Sequence, residues 1–302
     1  MNRRRLLLLP FALLLLWAAA LSQPPSRTRE LAPGVFMWQG DGSLREPANC
    51  GWVVFKEYVL VIDANFPWGA QKILPEIKRT TNKPIRFVFN THYHGDHAFG
   101  GSVFTAQGAT IVCSEDCGVE SRTKGQAGWD RNTETGEFSL KPYHLAHPTI
   151  TFPQRMAFDD GEHRVELIKM GPGHSKGDAV AYLPKEKMLF TGDLCVNWKS
   201  GNNVADADAD PVNWANALGQ MAKWDVKTVV PGHGVVGDVS TLRGQAGYLQ
   251  DLWKQVSEGK RQGRTDEQLV GSIDLSRHGN WAADAQRNAV AIRAVYKKAS
   301  GR

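Results

Sequence analysis

The chain has 302 residues, 42% of them apolar and 22% charged. That is enough to bury a sizeable core, and it excludes disordered, collagen-like and coiled-coil proteins as overall descriptions. The formal net charge is +5, but Arg3, Arg4 and Arg5 lie in a segment that reads as removable and leave +2 behind, so charge supports no nucleic-acid partner.

Residues 1–22, MNRRRLLLLPFALLLLWAAALS, have a basic head, an apolar run from Leu6 to Trp17 and small residues at Ala18 to Ala20. This is the form of a secretory signal peptide, with cleavage expected after Ala20 or Ser22. The three arginines also permit a twin-arginine route. The apolar run falls short of the roughly 20 residues a membrane span needs, and Pro10 interrupts it. The mature protein is therefore expected to be exported, periplasmic or secreted, without stable membrane insertion. Of the four cysteines, Cys113 and Cys117 are close enough to pair if the backbone turns suitably. The alternative is buried thiols, with Cys195 near a site.

Strands are expected at Gly34 to Trp38, Gly51 to Phe55 and Tyr58 to Asp63, with a tight turn at Lys56 and Glu57. A helix follows, its apolar face marked by Ala70, Ile73, Leu74 and Ile77 and interrupted by Pro75. Ile85 to Asn90 is a nearly continuous apolar run, as expected of a buried strand, and Thr110 to Cys113 is another. Residues Gly125 to Pro148 read as a long polar loop. Later strands are His163 to Met170, Ala179 to Leu183, Lys187 to Gly192 and Lys227 to Gly232, with a helix around Val212 to Trp224. After Val239 the pattern is helical only, with one stripe at Leu242, Ala246, Leu249, Trp253 and Val256 and another at Trp281, Ala285, Ala289, Ile292 and Tyr296. The stretch Ala205 to Asp210, ADADAD, reads as a solvated acidic loop unless it has a role.

The chemistry sits at strand ends. THYHGDH directly follows the strand ending at Asn90 and supplies His92, His94, Asp96 and His97. Imidazole and carboxylate are ligands that suit zinc and similar divalent ions. His92 and His94 alternate, so on extended backbone they can share one ion, while Asp96 and His97 turn toward a second position, with Gly95 permitting the tight turn. Three later segments repeat the plan of a strand followed by a candidate ligand in a glycine-rich turn: GPGHSKGD with His174, FTGD with Asp193, and VPGHG with His233. A single zinc takes about four ligands, so seven candidates point to two ions. His144, His147, His163 and His278 lack such a setting and read as surface or structural. Trp38, Phe66, Trp68, Trp129 and Trp198 are candidates for an apolar wall.

THYHGDH, GPGHSKGD, TGD and PGHG, in that order, resemble the metal motifs of the metallo-β-lactamase-fold superfamily. The resemblance implies an α+β fold, an αβ/βα four-layer sandwich over residues 31–238, here followed by a helical C-terminal extension over 239–302. It implies that His92, His94 and His174 hold one zinc, that Asp96, His97 and His233 hold a second, and that Asp193 bridges them; iron or manganese would also suit these ligands. Asp63 matches a carboxylate that supports the ligands from behind. GNNVADADADPVNW resembles the substrate-facing loop of class B β-lactamases, with Asn203 at the asparagine position. The departures are Asp193 where those enzymes carry a cysteine, His97 where many carry Arg, and Val196 where a lysine is expected, with Lys199 a nearby substitute. Cys195 is a second-choice ligand, offset by two.

The chemistry implied is metal-assisted hydrolysis of a small-molecule substrate, since water bound between two cations has its pKa lowered to about 7. Asp96 is the candidate for orienting the nucleophile or moving a proton, and this chemistry requires no side-chain nucleophile. Three readings compete: an exported dizinc hydrolase of β-lactams or similar cyclic amides and esters; a thioester, lactone or ester hydrolase of glyoxalase II or lactonase type; and a mononuclear iron persulfide dioxygenase using His92, His174 and Asp193.

Overall fold

The computed structural model describes residues 27–199 and 204–299. Residues 1–22, expected to be a signal segment, and Asn203 therefore lie outside the described residues. Among the described residues no helix is long and apolar enough to cross a membrane.

Seven strands form the first sheet in chain order: β1 (Thr28–Ala32), β2 (Val35–Trp38), β3 (Cys50–Val54), β4 (Val59–Ile62), β5 (Ile85–Phe89), β6 (Thr110–Ser114) and β7 (Ile150–Phe152). β1 to β4 pair antiparallel, and β4 to β7 pair parallel. The second sheet has the order β13-β11-β10-β9-β8, with β8 Arg155–Asp159, β9 Arg164–Lys169, β10 Ala179–Leu183, β11 Met188–Phe190 and β13 Thr228–Val230. A short parallel ribbon pairs β12 (Val196–Asn197) with β14 (His233–Gly234).

Strand periodicity builds the layers. Leu60 and Ile62 of β4 point into one core with Phe89, Leu167, Ala181 and Phe190, which closes the two sheets on each other. Val59 and Val61, the alternate residues, point the other way, against α1 (Pro67–Thr80) and α3 (Gly101–Thr105) through Ile73, Ile77 and Phe104. The second sheet does the same: Met188 and Phe190 face inward, and Leu189 faces α6 (Pro211–Met221) and α7 (Val239–Arg261). The result is a helix–sheet–sheet–helix sandwich, the α+β four-layer architecture expected.

Pro75 does not end α1, because it lies on the exposed face, where the carbonyl it leaves without an N–H is open to water. The remaining helices are α2 (Gly95–Ala98), α4 (Glu115–Glu120), α5 (Gln126–Asp130), α8 (Asp266–Val270) and α9 (Ala285–Lys298). The region read as a polar loop from Gly125 is instead helical at its start: α4 runs through a π-turn at Ser121–Gly125 into α5. Gly125 and Gly128 weaken the helical pattern there, and the buried Gly125 lies against Tyr93. β1, β7 and β8 were not expected; β1 and β8 are edge strands, only partly buried.

The C-terminal helices pack on the second sheet. The α7 stripe is as expected, with Leu242, Ala246, Leu249 and Val256 buried. The second stripe is shifted: Ala291, Ile292 and Val295 are the buried face of α9, and Trp281 lies in a separate 3-10 turn. Ala285 opens the helix beside its Asp284 cap, and its side chain is exposed. All four cysteines are buried free thiols, so Cys113 and Cys117 are not paired.

Leu60 and Leu189 are fully buried on different sides of the two sheets. Leu60→Ala and Leu189→Ala should each lower the unfolding free energy by about 2–5 kcal/mol in urea titrations. A loss well below that at Leu189 alone would show that the outer helix layer contributes little to the global transition.

Candidate metal centre

Every predicted ligand follows the carboxyl end of a strand. His92 follows β5, His174 follows β9, Asp193 follows β11 and His233 follows β13, while Asp63 ends β4. β4 and β5 run parallel, and so do β11 and β13, so their following turns emerge on one edge of the sandwich. Two glycines make the approach possible. Gly192 has φ +51°, and a side chain there would meet Thr91 Oγ1. A Cβ on Gly232 would lie 2.2 Å from Asp193 Oδ1, so the turn before His233 must be bare for the carboxylate to enter.

Two groups of donor atoms result. His92, His94, His174 and Asp193 form one, and Asp96, His97 and His233 the other; within each group the atoms lie within 4.8 Å of one another. Asp193 reaches both: Oδ2 is 3.5 Å from His174 Nε2, and Oδ1 is 3.1 Å from both His97 Nε2 and His233 Nε2. Asp96 Oδ2 lies 3.2 Å from His233 Nε2. All seven predicted ligands are thus brought together. Cys195 belongs to neither group and is buried in the core under α6 and α7.

The hydrogen bonds behind the rings set which nitrogens turn inward. Asp63 accepts from Thr91 N at 2.8 Å and Thr91 Oγ1 at 2.9 Å. Thr91 Oγ1, its proton used, accepts from His92 Nδ1 at 3.1 Å. Asp63 also accepts from His97 Nδ1 at 2.8 Å, and Pro47 O accepts from His233 Nδ1 at 2.9 Å. Each ring therefore turns its Nε2 inward, where it can meet an ion. His92 Nε2 is buried without a hydrogen-bond partner. His97 Nε2 and His233 Nε2 face each other at 3.3 Å, as do His174 Nε2 and His94 Nδ1 at 2.9 Å. Ring nitrogens of five histidines converging with two carboxylates in a buried space are the donor set that divalent ions take, so the residues present fit a metal pair.

The electrostatics divide the centre. Burial, then the neighbouring imidazoles, keep His92 well below the ordinary histidine range, and burial with His94 pushes His174 down to about 3. Burial opposes charge on His233 too, but Asp193 and Asp96 outweigh it and raise it to about 10; His97 is raised in the same way. Asp96, despite burial, is held at about 2 by His97 and His233. The field around the second group thus favours positive charge.

Several supporting residues were not anticipated. Asn49 donates through Nδ2 to Pro231 O and Gly234 O, bracketing His233. The buried Asp178 accepts from Ser175 N and Oγ beside His174. Asp206, from the acidic stretch, places Oδ2 4.0 Å from His94 Nε2 and 3.9 Å from His174 Nδ1. Its repeat was the only sequence signal. Of the aromatic candidates, Phe66 lines the adjoining cleft of about 630 Å³ together with Phe99, Tyr93, Arg131 and Asp206. Trp68 stacks behind Phe66, Trp129 meets Phe99 edge-on, and Trp198 stacks on His233 at 4.5 Å. Trp38 is core. His163 pairs with Glu186, His278 with Asp251 and His147 with Ser121, and His144 is exposed, so none of the four joins the centre.

A match to the metallo-beta-lactamase superfamily spans residues 44–233, and the chain belongs to that superfamily. It is a metal-dependent hydrolase of that class. The chain is 26% identical over 197 residues, 64% of its length and 74% of the relative's, to the metallo-beta-lactamase IND-1 of Chryseobacterium indologenes. It is 36% identical over 189 residues, 61% of its length and 65% of the relative's, to a type 2 metallo-beta-lactamase of Bacillus sp. (strain 170). Among solved structures, a metallo-beta-lactamase from Pontibacter korlensis superposes with TM-score 0.61 at 25% identity, covering 74% of this chain and 99% of that one. A sec-alkylsulfatase from Pseudomonas sp. shares the fold at 15% identity with TM-score 0.70, over 90% of this chain and 50% of that one.

Asp63→Asn tolerates the left-handed backbone that Asp63 adopts at φ +59° and keeps one acceptor for Thr91 N, but it replaces Oδ2, the acceptor shared by His97 Nδ1 and Thr91 Oγ1, with an amide NH2. Zinc affinity in chelator competition should fall about 10- to 100-fold with the far-UV spectrum unchanged. An unaltered affinity would show that ring orientation is set elsewhere.

Proposed function

We propose that the chain is an exported dinuclear zinc hydrolase that opens a β-lactam or a similar cyclic amide or ester. The observation that carries this reading is the sharing of one carboxylate, Asp193, between two complete sets of donor atoms. His92, His94 and His174 would hold one ion, Asp96, His97 and His233 the other, and Asp193 both. Two zinc ions there would supply Lewis acidity and a water acidic enough to ionise near neutral pH.

The chain's own residues contribute the rest. Asp96, ionised at neutral pH and within 3.2 Å of His233 Nε2, is placed to accept a proton at Oδ2 and to orient the nucleophile. Phe66 and Phe99 give the cleft an apolar wall that excludes water. Of the two cations lining the cleft, Lys124 is committed to Asp208 and Glu120, while Arg131 has no partner among the described residues. Arg131 thus suits an anionic group on the substrate, a task Val196 cannot perform because it is apolar and buried. Asn203 is the remaining candidate for contacting substrate, proposed on motif position alone. The signal-like segment at residues 1–22 supports export.

Asp193 in place of a cysteine, and His97 in place of an arginine, favour a second reading as a thioester, lactone or ester hydrolase. The two are separated by assaying the zinc-loaded protein against penicillin, cephalosporin and carbapenem probes beside an ester and thioester panel. The first reading expects β-lactam turnover, about two zinc ions per chain by mass spectrometry, abolition by a chelator and recovery on adding zinc. Preference for esters over every β-lactam selects the second. One iron per chain with oxygen consumed on persulfide would overturn both.

A further inference from the structure

The family match stops at residue 233, yet the helices beyond it touch the centre's surroundings: Gln245 of α7 accepts from Val196 N and donates to Leu194 O, and the segments after α7 add further contacts. Trp281 Nε1 donates to Val196 O at 2.8 Å, on the strand that pairs with His233. At the other end of the extension, Lys298 in the last turn of α9 donates through Nζ to Asp206 O at 3.0 Å and Ala207 O at 3.1 Å.

Those carbonyls belong to the segment 204–210 that walls the cleft. Its ends are firmly placed: Val204 is fully buried in the core under α6 and α7, and Asp210 N donates to Gly173 O at 2.8 Å. On the cleft side, Asp208 accepts from Tyr93 Oη at 2.9 Å and pairs with Lys124, while Asp206 faces His94 and His174. On the opposite side there is space. A cavity of about 440 Å³ lies between the segment and α9, lined by Ala205, Ala207, Val290, Arg293, Ala294 and Lys297 with Lys298 at its edge. The middle of the segment therefore has little packing behind it. A partly buried ammonium bonded to two successive carbonyls spans that gap.

We propose that Lys298 is a positioning residue for the substrate cleft: by holding the carbonyls of Asp206 and Ala207 it keeps the Asp206–Asp208 wall forward against the metal centre, which makes the C-terminal helices part of the working enzyme. The kinetic arm of this inference rests on the hydrolase reading; the structural arm does not. In Lys298→Met the stem still packs but both hydrogen bonds are lost, whereas Lys298→Arg can still donate.

The test is hydrogen exchange on the full zinc-loaded chain, read alongside kinetics. Lys298→Met should speed exchange in peptides covering 204–210 about tenfold while leaving the rest of the chain, the zinc content and the melting temperature near wild type. KM for the best substrate found should rise about tenfold with kcat within about twofold, and Lys298→Arg should recover both. Wild-type exchange in 204–210, or accelerated exchange spread over the whole chain, would overturn the proposal, as would an unmoved KM in an active enzyme. If no hydrolase activity is found in the wild type, the functional reading fails, and exchange in 204–210 with its rescue by Lys298→Arg still decides the role of Lys298.

Discussion

The structure depends on one buried carboxylate, Asp193, on which imidazoles converge from both sides. Asp193 lies between His174 on one side and His97 and His233 on the other, and His97 and His233 turn Nε2 inward because their outer nitrogens are used by Asp63 and Pro47 O. Polar and charged groups held this close in a buried space are costly unless their charges balance. Asp193 and Asp96 favour positive charge on His97 and His233, and divalent ions held by the same donors would supply it. Much of the sequence serves that arrangement, from the bare turns at Gly192 and Gly232 to the strand order that gathers five chain ends at one edge.

Asp63 links the two halves of the centre. Through Thr91 it orients His92, and directly it orients His97. A residue with a left-handed backbone at the end of a buried strand is costly unless its surroundings demand it, and here the demand is two imidazole orientations satisfied by one carboxylate. Asn49 and Asp178 perform analogous tasks for the turns carrying His233 and His174, each with backbone groups that would otherwise be buried without partners.

The candidate ligands were legible because they are local and chemically unusual: four of them fall within six residues of THYHGDH, and the others sit in glycine-rich turns directly after apolar strands. The four-layer architecture was legible from the alternation of strands and helices together with those motifs. The misread parts share a physical cause. α5 carries Gly128 and directly follows Gly125, and β8 is a half-exposed edge strand, so neither has a strong hydrophobic period. The second C-terminal stripe was displaced because its buried face is set by packing on α7 and α8 and not by the period alone.

By itself the sequence determined the donor types, their number and their positions at strand ends, because ligand chemistry and strand periodicity are written in residues near one another. Only the tertiary structure decided that Asp206 lies beside the centre, that Cys195 is core, and that Lys298 reaches back over 92 residues to the cleft wall. Those facts depend on which surfaces meet when the helix layers close over the sheets, and contacts between distant segments leave no period or spacing in the chain from which they can be read.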